Sequence, residues 1–468
     1  MTENMGPPLV FPGVEDHYPN SLTLKQVQVL FRHGERTPVH RSIQQWDKWG
    51  FPIFWPLCES TRRSLTGLIN PQIQQVTTFE YEREIETLTE EDPSPLFTNA
   101  GKKGICTEGQ LTDRGRISGH YLGAQLRELY VDRLAFLPRN FTKTSDIYLR
   151  TTGIVRSRET LQQVFNGLYP LTSHSATPTL LERFPFEENL HPMVYCPRLS
   201  ELRKQFQEAA AKKWNPQLEE ASHVLKDILS SPEGRITVGD GNNKDAAWAI
   251  IDTYSSALAH NIKTPPGFAN RQVVNTVARA ALECEFAGYE KNAEMKQLGM
   301  GRFFADVLQR MTIGDPIVSE NMAEISQMLG QKEVKVYRKV PLLALYAAHD
   351  SSIGAILSTM GVFDNRWINF TSHITFELFE EKIKSTSWSL GSPAKFVRVK
   401  YNGRPMGIPA CQPKGKHWGE DSSFCTFAAF QDFVRSVSPM RDWSTQCKEH
   451  LGEQAPELKE LTEATASA

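Results

Sequence analysis

Long apolar runs are missing from this sequence: no uninterrupted stretch is long enough to cross a bilayer, which excludes a helical membrane span. A surplus of charge is missing too. With 52 Lys and Arg against 54 Asp and Glu, the formal net charge is -2. No global basic field can therefore hold a nucleic acid backbone, and any bound anion must be gripped by locally gathered arginines. Cysteine is sparse and scattered. The seven, Cys58, Cys106, Cys196, Cys284, Cys411, Cys425 and Cys447, include no closely spaced pair of the zinc-binding kind, which speaks against a sulfur-ligated metal. Their odd count, and an opening MTENMGPPLVFPGVEDHYPN without a basic stretch followed by an apolar one, favour a cytoplasmic protein with free thiols, a mitochondrial or secreted one being the alternative. Internal repeats are also absent, which excludes a solenoid.

What is present is ordinary globular material, 40% hydrophobic and 23% charged, in a chain of 468 residues. That length exceeds the usual ceiling for one hydrophobic core, so one large domain with an insertion, or two domains, is expected. Short β-branched and apolar runs at 26–31, 146–149 and 342–348 read as buried strands. Between them lie helical patterns. Thr112 is a good N-cap for a helix reaching about Val131, and the pattern from Val155 to Leu168 ends at Tyr169-Pro170. Ser351 or Ser352 can cap another helix that Gly361 closes. Ile374–Phe379 and Phe396–Tyr401 look like a late antiparallel pair, 40–100 reads as an irregular excursion with at most one helix, and 199–323 is mainly helical. The fold class is therefore α/β, a mostly parallel sheet flanked by helices, with an inserted helical domain. The expected boundaries are 22–170 with 335–447 for the α/β part, 171–334 for the insertion, and flexible termini at 1–21 and 448–468.

Three charged clusters each follow the C-terminal end of a strand, the edge at which open α/β sheets bind ligands. In Arg32-His33-Gly34-Glu35-Arg36-Thr37-Pro38, two guanidiniums flank an imidazole, and their forks match the oxygens of a phosphate. Gly34 would clear space for the anion. Arg150 stands at the end of the second strand and is chosen as a further phosphate ligand, while Arg156 and Arg158 are expected to pair on the surface with acids such as Glu159. His349-Asp350 closes the third strand. Each cluster alone is more simply a solvated or satisfied ion pair; their meeting on one sheet edge is what favours a site. Trp46, Trp49, Phe51, Phe54 and Trp55 crowd behind the first cluster, as an apolar wall for a lipid tail or as local core.

LFRHGERTP resembles the signature of the histidine acid phosphatase family, within the histidine phosphatase superfamily. IYLRTTGIVRSRETL is similar to its second arginine segment, with Thr151 where serine is commoner, YAAHDSSIG to its histidine-aspartate segment, and GQLTDRG to the helix start between them. The resemblance runs from about Lys25 to Cys447, and YAAHD with GVFDNRWINFTSHITFELFE lies nearest the lysophosphatidic acid phosphatase branch. It implies a phosphoglycerate-mutase-like α/β fold and an acid phosphatase acting through a phosphohistidine. By the same resemblance His33 is the nucleophile, Asp350 the proton donor, and Arg32, Arg36, Arg150 and His349 the phosphate ligands. Neither cofactor nor metal is implied. The expected partner is a small phosphomonoester or lysophospholipid, with an inositol phosphate or an inactive phosphate-binding protein as alternatives; the oligomeric state stays open.

Overall fold

The computed structural model describes residues 18–39, 55, 57–70, 75–83, 106–192, 195–230, 233–239, 245–312, 340–382, 393–440 and 442–458. The central strand β1 (Leu22–Arg32) carries the run VQVLFR, every residue of which is buried. Two of its glutamines lie in the core without remaining unpaired. Gln28 donates to Gln26 Oε1 and to Val307 O, both at 2.9 Å, and Tyr346 donates to Gln28 Oε1 at 2.7 Å.

Further strands complete the sheet: β4 (Ile147–Thr151), β5 (Leu180–Leu181), β6 (Leu343–Ala348), β7 (His373–Glu381), β8 (Lys395–Tyr401), β9 (Arg404–Met406), β10 (His417–Trp418) and β11 (Asp421–Thr426). Their order is β10-β11-β8-β7-β1-β6-β4-β5, with β9 added to β8. From β1 to β5 all pairings are parallel, and from β1 outward to β10 all are antiparallel. The expected α/β sheet is thus parallel where the three charged clusters end, and the late antiparallel pair belongs to a larger antiparallel half.

Helices α1 (Asp113–Arg127) and α2 (Val155–Leu168) cover one face of the parallel half and enclose a core with Val27, Phe31, Leu149 and Leu345. Helices α3 (Pro197–Trp214), α4 (Leu218–Val224), α5 (Ala247–Ala259), α6 (Arg271–Lys291), α7 (Ala293–Lys296) and α8 (Arg302–Thr312) follow β5. They build a second core around Trp214, Ile251, Tyr254 and Val277, and the α8 end packs Phe303, Phe304 and Val307 against the sheet. After β6 come α9 (Asp350–Thr359) and, at the C-terminal end, α10 (Phe427–Val437) and α11 (Trp443–Gln446). No described helix is long and apolar enough to cross a membrane.

Several details differ from the sequence reading. Between the first two clusters the chain forms a hairpin, β2 (Arg63–Asn70) with β3 (Gln75–Glu82), in place of irregular chain. Residues 448–458 do not fray: Ala455 and Leu458 are buried, and Ala455 N–H donates to Gln205 Oε1 of α3 at 2.8 Å. Six cysteines are paired, Cys58–Cys106, Cys196–Cys447 and Cys411–Cys425, with Cα separations of 5.5, 4.9 and 5.1 Å; Cys284 alone is free and buried. The expectation of free thiols fails because cysteines distant in sequence are brought together by the fold.

Candidate active site

Parallel pairing puts the three clusters level. Arg32 faces Ala348 across β1 and β6, and Thr151 faces Ala347 across β4 and β6. The chain beyond each strand is tied to its neighbour as well: His33 N–H donates to Ala348 O at 3.0 Å and Thr152 N–H to Ala347 O at 3.3 Å. His33 and His349 consequently meet, with ring centroids 5.5 Å apart.

His33 is almost fully buried, and its Nδ1 lies 2.9 Å from Gly34 O. That contact requires Nδ1–H as the donor and leaves the Nε2 lone pair free. Burial, then the guanidiniums of Arg156, Arg36 and Arg32, push the imidazole well below its ordinary range. His349 is depressed in the same way by burial, Arg156 and His191. It serves as the N-cap of α9, displacing the two serines expected there, while its N–H donates to Ser352 Oγ at 3.2 Å. Its Nε2 is paired with Thr152 Oγ1 at 3.0 Å, which fixes the ring's orientation.

Gly34 has a different purpose from the one expected. A Cβ there would stand 2.2 Å from Gly115 O, so the residue allows the loop to lie directly on the start of α1. Two hydrogen bonds fix that docking, Thr112 N–H to Glu35 O at 3.0 Å and Gly34 N–H to Thr160 Oγ1 at 3.0 Å. The chain turn after β1 is thereby held rigidly beside both helices.

Each arginine is held by something, though not always in the expected way. Arg32 lies with Cζ 4.1 Å from the Phe370 ring centroid, donates to Ile368 O, and pairs through NH2 with Asp350 Oδ2 at 2.7 Å. Arg36 forms a bidentate pair with Asp252 of α5, at 3.1 and 2.8 Å. Burial pushes the Asp252 carboxyl up, but Arg36 outweighs it and keeps the group ionised below the usual range. Arg156, which the sequence reading left on the surface, faces inward beside both imidazoles; Glu159 pairs with Arg116 at 2.9 Å instead. Burial and the neighbouring Arg36 lower the Arg156 pKa to about 10. Only Arg158 is a surface pair, with Glu182 at 3.0 Å.

Arg150 stands at the expected strand end, but its guanidinium is taken by two buried carboxylates, Glu188 Oε1 at 2.5 Å and Asp306 Oδ2 at 3.2 Å. It is not among the leading charges acting on His33, whereas Arg156 heads them. The reason is directional: β4 delivers the Arg150 side chain toward α8, and the first turn of α2 delivers Arg156 toward the imidazoles. Around His33, the Nε atoms of Arg32, Arg36 and Arg156 are buried without a hydrogen-bond partner among the described residues. Such donors are rare in folded proteins unless an anion or water satisfies them.

A model of the histidine phosphatase superfamily, branch 2, matches residues 23–402. The chain belongs to that superfamily. This branch 2 histidine phosphatase is 32% identical to a probable acid phosphatase of Schizosaccharomyces pombe, over 93% of this chain and 96% of that one. It is 25% identical to the Homo sapiens lysophosphatidic acid phosphatase type 6, over 83% and 80% of the two chains. A phytase of Hafnia alvei in its apo form shares the fold, with a TM-score of 0.55, 13% identity, and 92% and 99% of the chains covered. As a histidine phosphatase the protein is a hydrolase of phosphate esters. Sequence reasoning had reached Arg32, His33, Arg36, His349 and Asp350. It missed Asp252, Thr152 and His191, whose ring lies 5.7 Å from that of His349. Asp252 left a signal, as the one charged residue in the apolar helix AWAIIDTYSSALA.

Proposed function

We propose that the protein is an acid phosphatase in which His33 takes the phosphoryl group and Asp350 serves the leaving oxygen. The observation that carries this is a buried, neutral imidazole with Nε2 free, ringed by three guanidiniums that keep unpartnered donors. A phosphate monoester supplies the acceptors these donors lack. Arg32, Arg36, Arg156 and His349 hold its oxygens, and Arg150 supports the site from behind. His33 Nε2 attacks phosphorus in line; the P–O ester bond breaks, and its electron pair leaves with the oxygen, which takes the proton of Asp350. Water then attacks the phosphohistidine, giving its proton to Asp350, and the P–N bond breaks to release phosphate and restore His33. Positive charge fixed around the phosphoryl oxygens stabilises both steps without reorganising.

The substrate we infer is a small phosphomonoester of the lysophospholipid kind. The three disulfides favour an oxidising compartment over the cytoplasm expected from the sequence. Hydrolysis of p-nitrophenyl phosphate in mild acid, with acid-quench trapping of labelled phosphoenzyme, tests the chemistry. Wild type should retain label and His33→Ala should not; label on the alanine variant would remove His33 as nucleophile.

A further inference from the structure

Beyond β5 the chain borders the site. Leu181 pairs in register with Arg150, Arg183 reaches Asp306 at 2.6 Å, Glu188 holds Arg150, and His191 arrives beside His349. Between these anchors two side chains face solvent: Phe184 and Phe186 are 69% and 60% exposed, with rings nearly parallel at 6° and centroids 5.9 Å apart. Ile154 and Val155, also exposed, immediately precede Arg156. The two strips adjoin. A Cβ at Gly153 would stand 3.8 Å from Glu182 Oε2, and Arg158 pairs with Glu182 at 3.0 Å. Ile154, Val155, Leu181, Phe184 and Phe186 thus give an apolar lip on the sheet edge that carries the arginines.

An exposed apolar patch at the edge of a polar site marks a binding surface. We propose that this lip seats the alkyl or acyl chain of a single-chain phosphomonoester whose phosphate lies at His33. The inference rests on the phosphatase reading above. Charge chooses the occupant. The donors beside His33 demand one anionic end, while the charges within the lip, Arg158 with Glu182 and Arg183 with Asp306, are paired among themselves. An anionic bilayer would find little net positive charge there, whereas one tail attached to one phosphate meets both requirements.

The test compares wild type with a Phe184→Ser, Phe186→Ser double variant on p-nitrophenyl phosphate and on lysophosphatidates from hexanoyl to myristoyl, all kept monomeric. Both positions are exposed, so folding should persist, with the circular dichroism melt as control. For wild type, kcat/KM should rise with tail length by about threefold to fourfold for each methylene buried, and then level off. The variant should lose this gradient while its aryl phosphatase rate stays unchanged. An undiminished gradient in the variant, or none in wild type, overturns the lip. So does a gradient found only with vesicles, which would mean bilayer docking, or a change of oligomeric state in the variant, which would mean a protein interface. Failure of wild type to hydrolyse p-nitrophenyl phosphate would instead overturn the phosphatase reading beneath it.

Discussion

Arg150 and Arg156 are six positions apart and both cationic, yet their surroundings assign them opposite duties. Losing Arg156 removes charge-assisted donors from the phosphate, worth about 2–3 kcal/mol, so Arg156→Ala should lower kcat/KM by roughly 30-fold to 150-fold and weaken inhibition by inorganic phosphate, with little change in melting temperature. Losing Arg150 strands Glu188 and Asp306 in the interior, and Arg150→Ala should cost roughly 3–5 kcal/mol of stability. Melting curves and phosphate inhibition measured on both variants check the assignment; the reverse pattern would restore Arg150 as the ligand. At Asp350 the test is chemical. Asp350→Asn should slow alkyl phosphates by about 10²–10⁴-fold and spare p-nitrophenyl phosphate, whose phenoxide leaves with little help from a proton. Equal losses in single-turnover phosphorylation would make Asp350 a positioning residue for His349. The imidazole and its flanking arginines were legible because the motif packs them into seven residues. Arg156 was not, since a helix's first turn ordinarily faces water, and nothing local announces that this one points at a sheet edge.

The groups gathered around His33 come from separate elements, and α5 contributes a carboxylate that holds one of them. Asp252 forks onto Arg36 and also accepts the Val39 N–H at 3.3 Å, so it sets the plane of a guanidinium on the opposite side of the site. Asp252→Asn keeps the size and loses the charge. We expect KM for phosphomonoesters to rise by about tenfold with kcat less affected, since about 1–2 kcal/mol of positioning is lost, and Asp252→Glu to recover part of it. A fall in kcat alone would point elsewhere. Among elements, β1, β4 and β6 were readable because buried parallel strands must be continuous apolar runs. The hairpin of β2 and β3 escaped notice because it buries so little: Leu65, Leu68, Ile69, Phe79 and Tyr81 are all exposed, so neither strand shows a buried face alternating with a wet one. The N-cap of α9 was missed by two or three positions because histidine is an unusual cap, and here its ring lies beside His33 as well.

Acid stability concerns the molecule as a whole, since buried neutral histidines lie in more than one core. His260 bridges Thr112 and Ser256, at 2.8 and 2.7 Å, and His373 opens β7, the antiparallel neighbour of β1. Burial lowers each of them to about 4. Below about pH 6.5 the unfolded chain binds a proton that the folded one refuses, so stability falls as pH drops from about 6.5 to about 4, by roughly 3 kcal/mol for each histidine. Asp306 and Glu377, both held at about 2 although burial alone would raise them, stabilise the fold above the ordinary carboxyl range and lose that effect only toward their own folded values. Thermal melts should therefore decline first across the histidine window, before the carboxylates protonate. A melting temperature constant between pH 6.5 and pH 4 would contradict this. The long-range architecture was the least legible level, since no sequence period records which distant cysteines or acids will meet. One such meeting reaches across much of the chain. Cys196 at the start of α3 and Cys447 just after α11 are 251 positions apart. Their bond closes the polypeptide into a ring with two tails. A single protease cut within that ring would separate no fragment, and the nicked protein would travel as one species on a gel until a reductant let it fall apart.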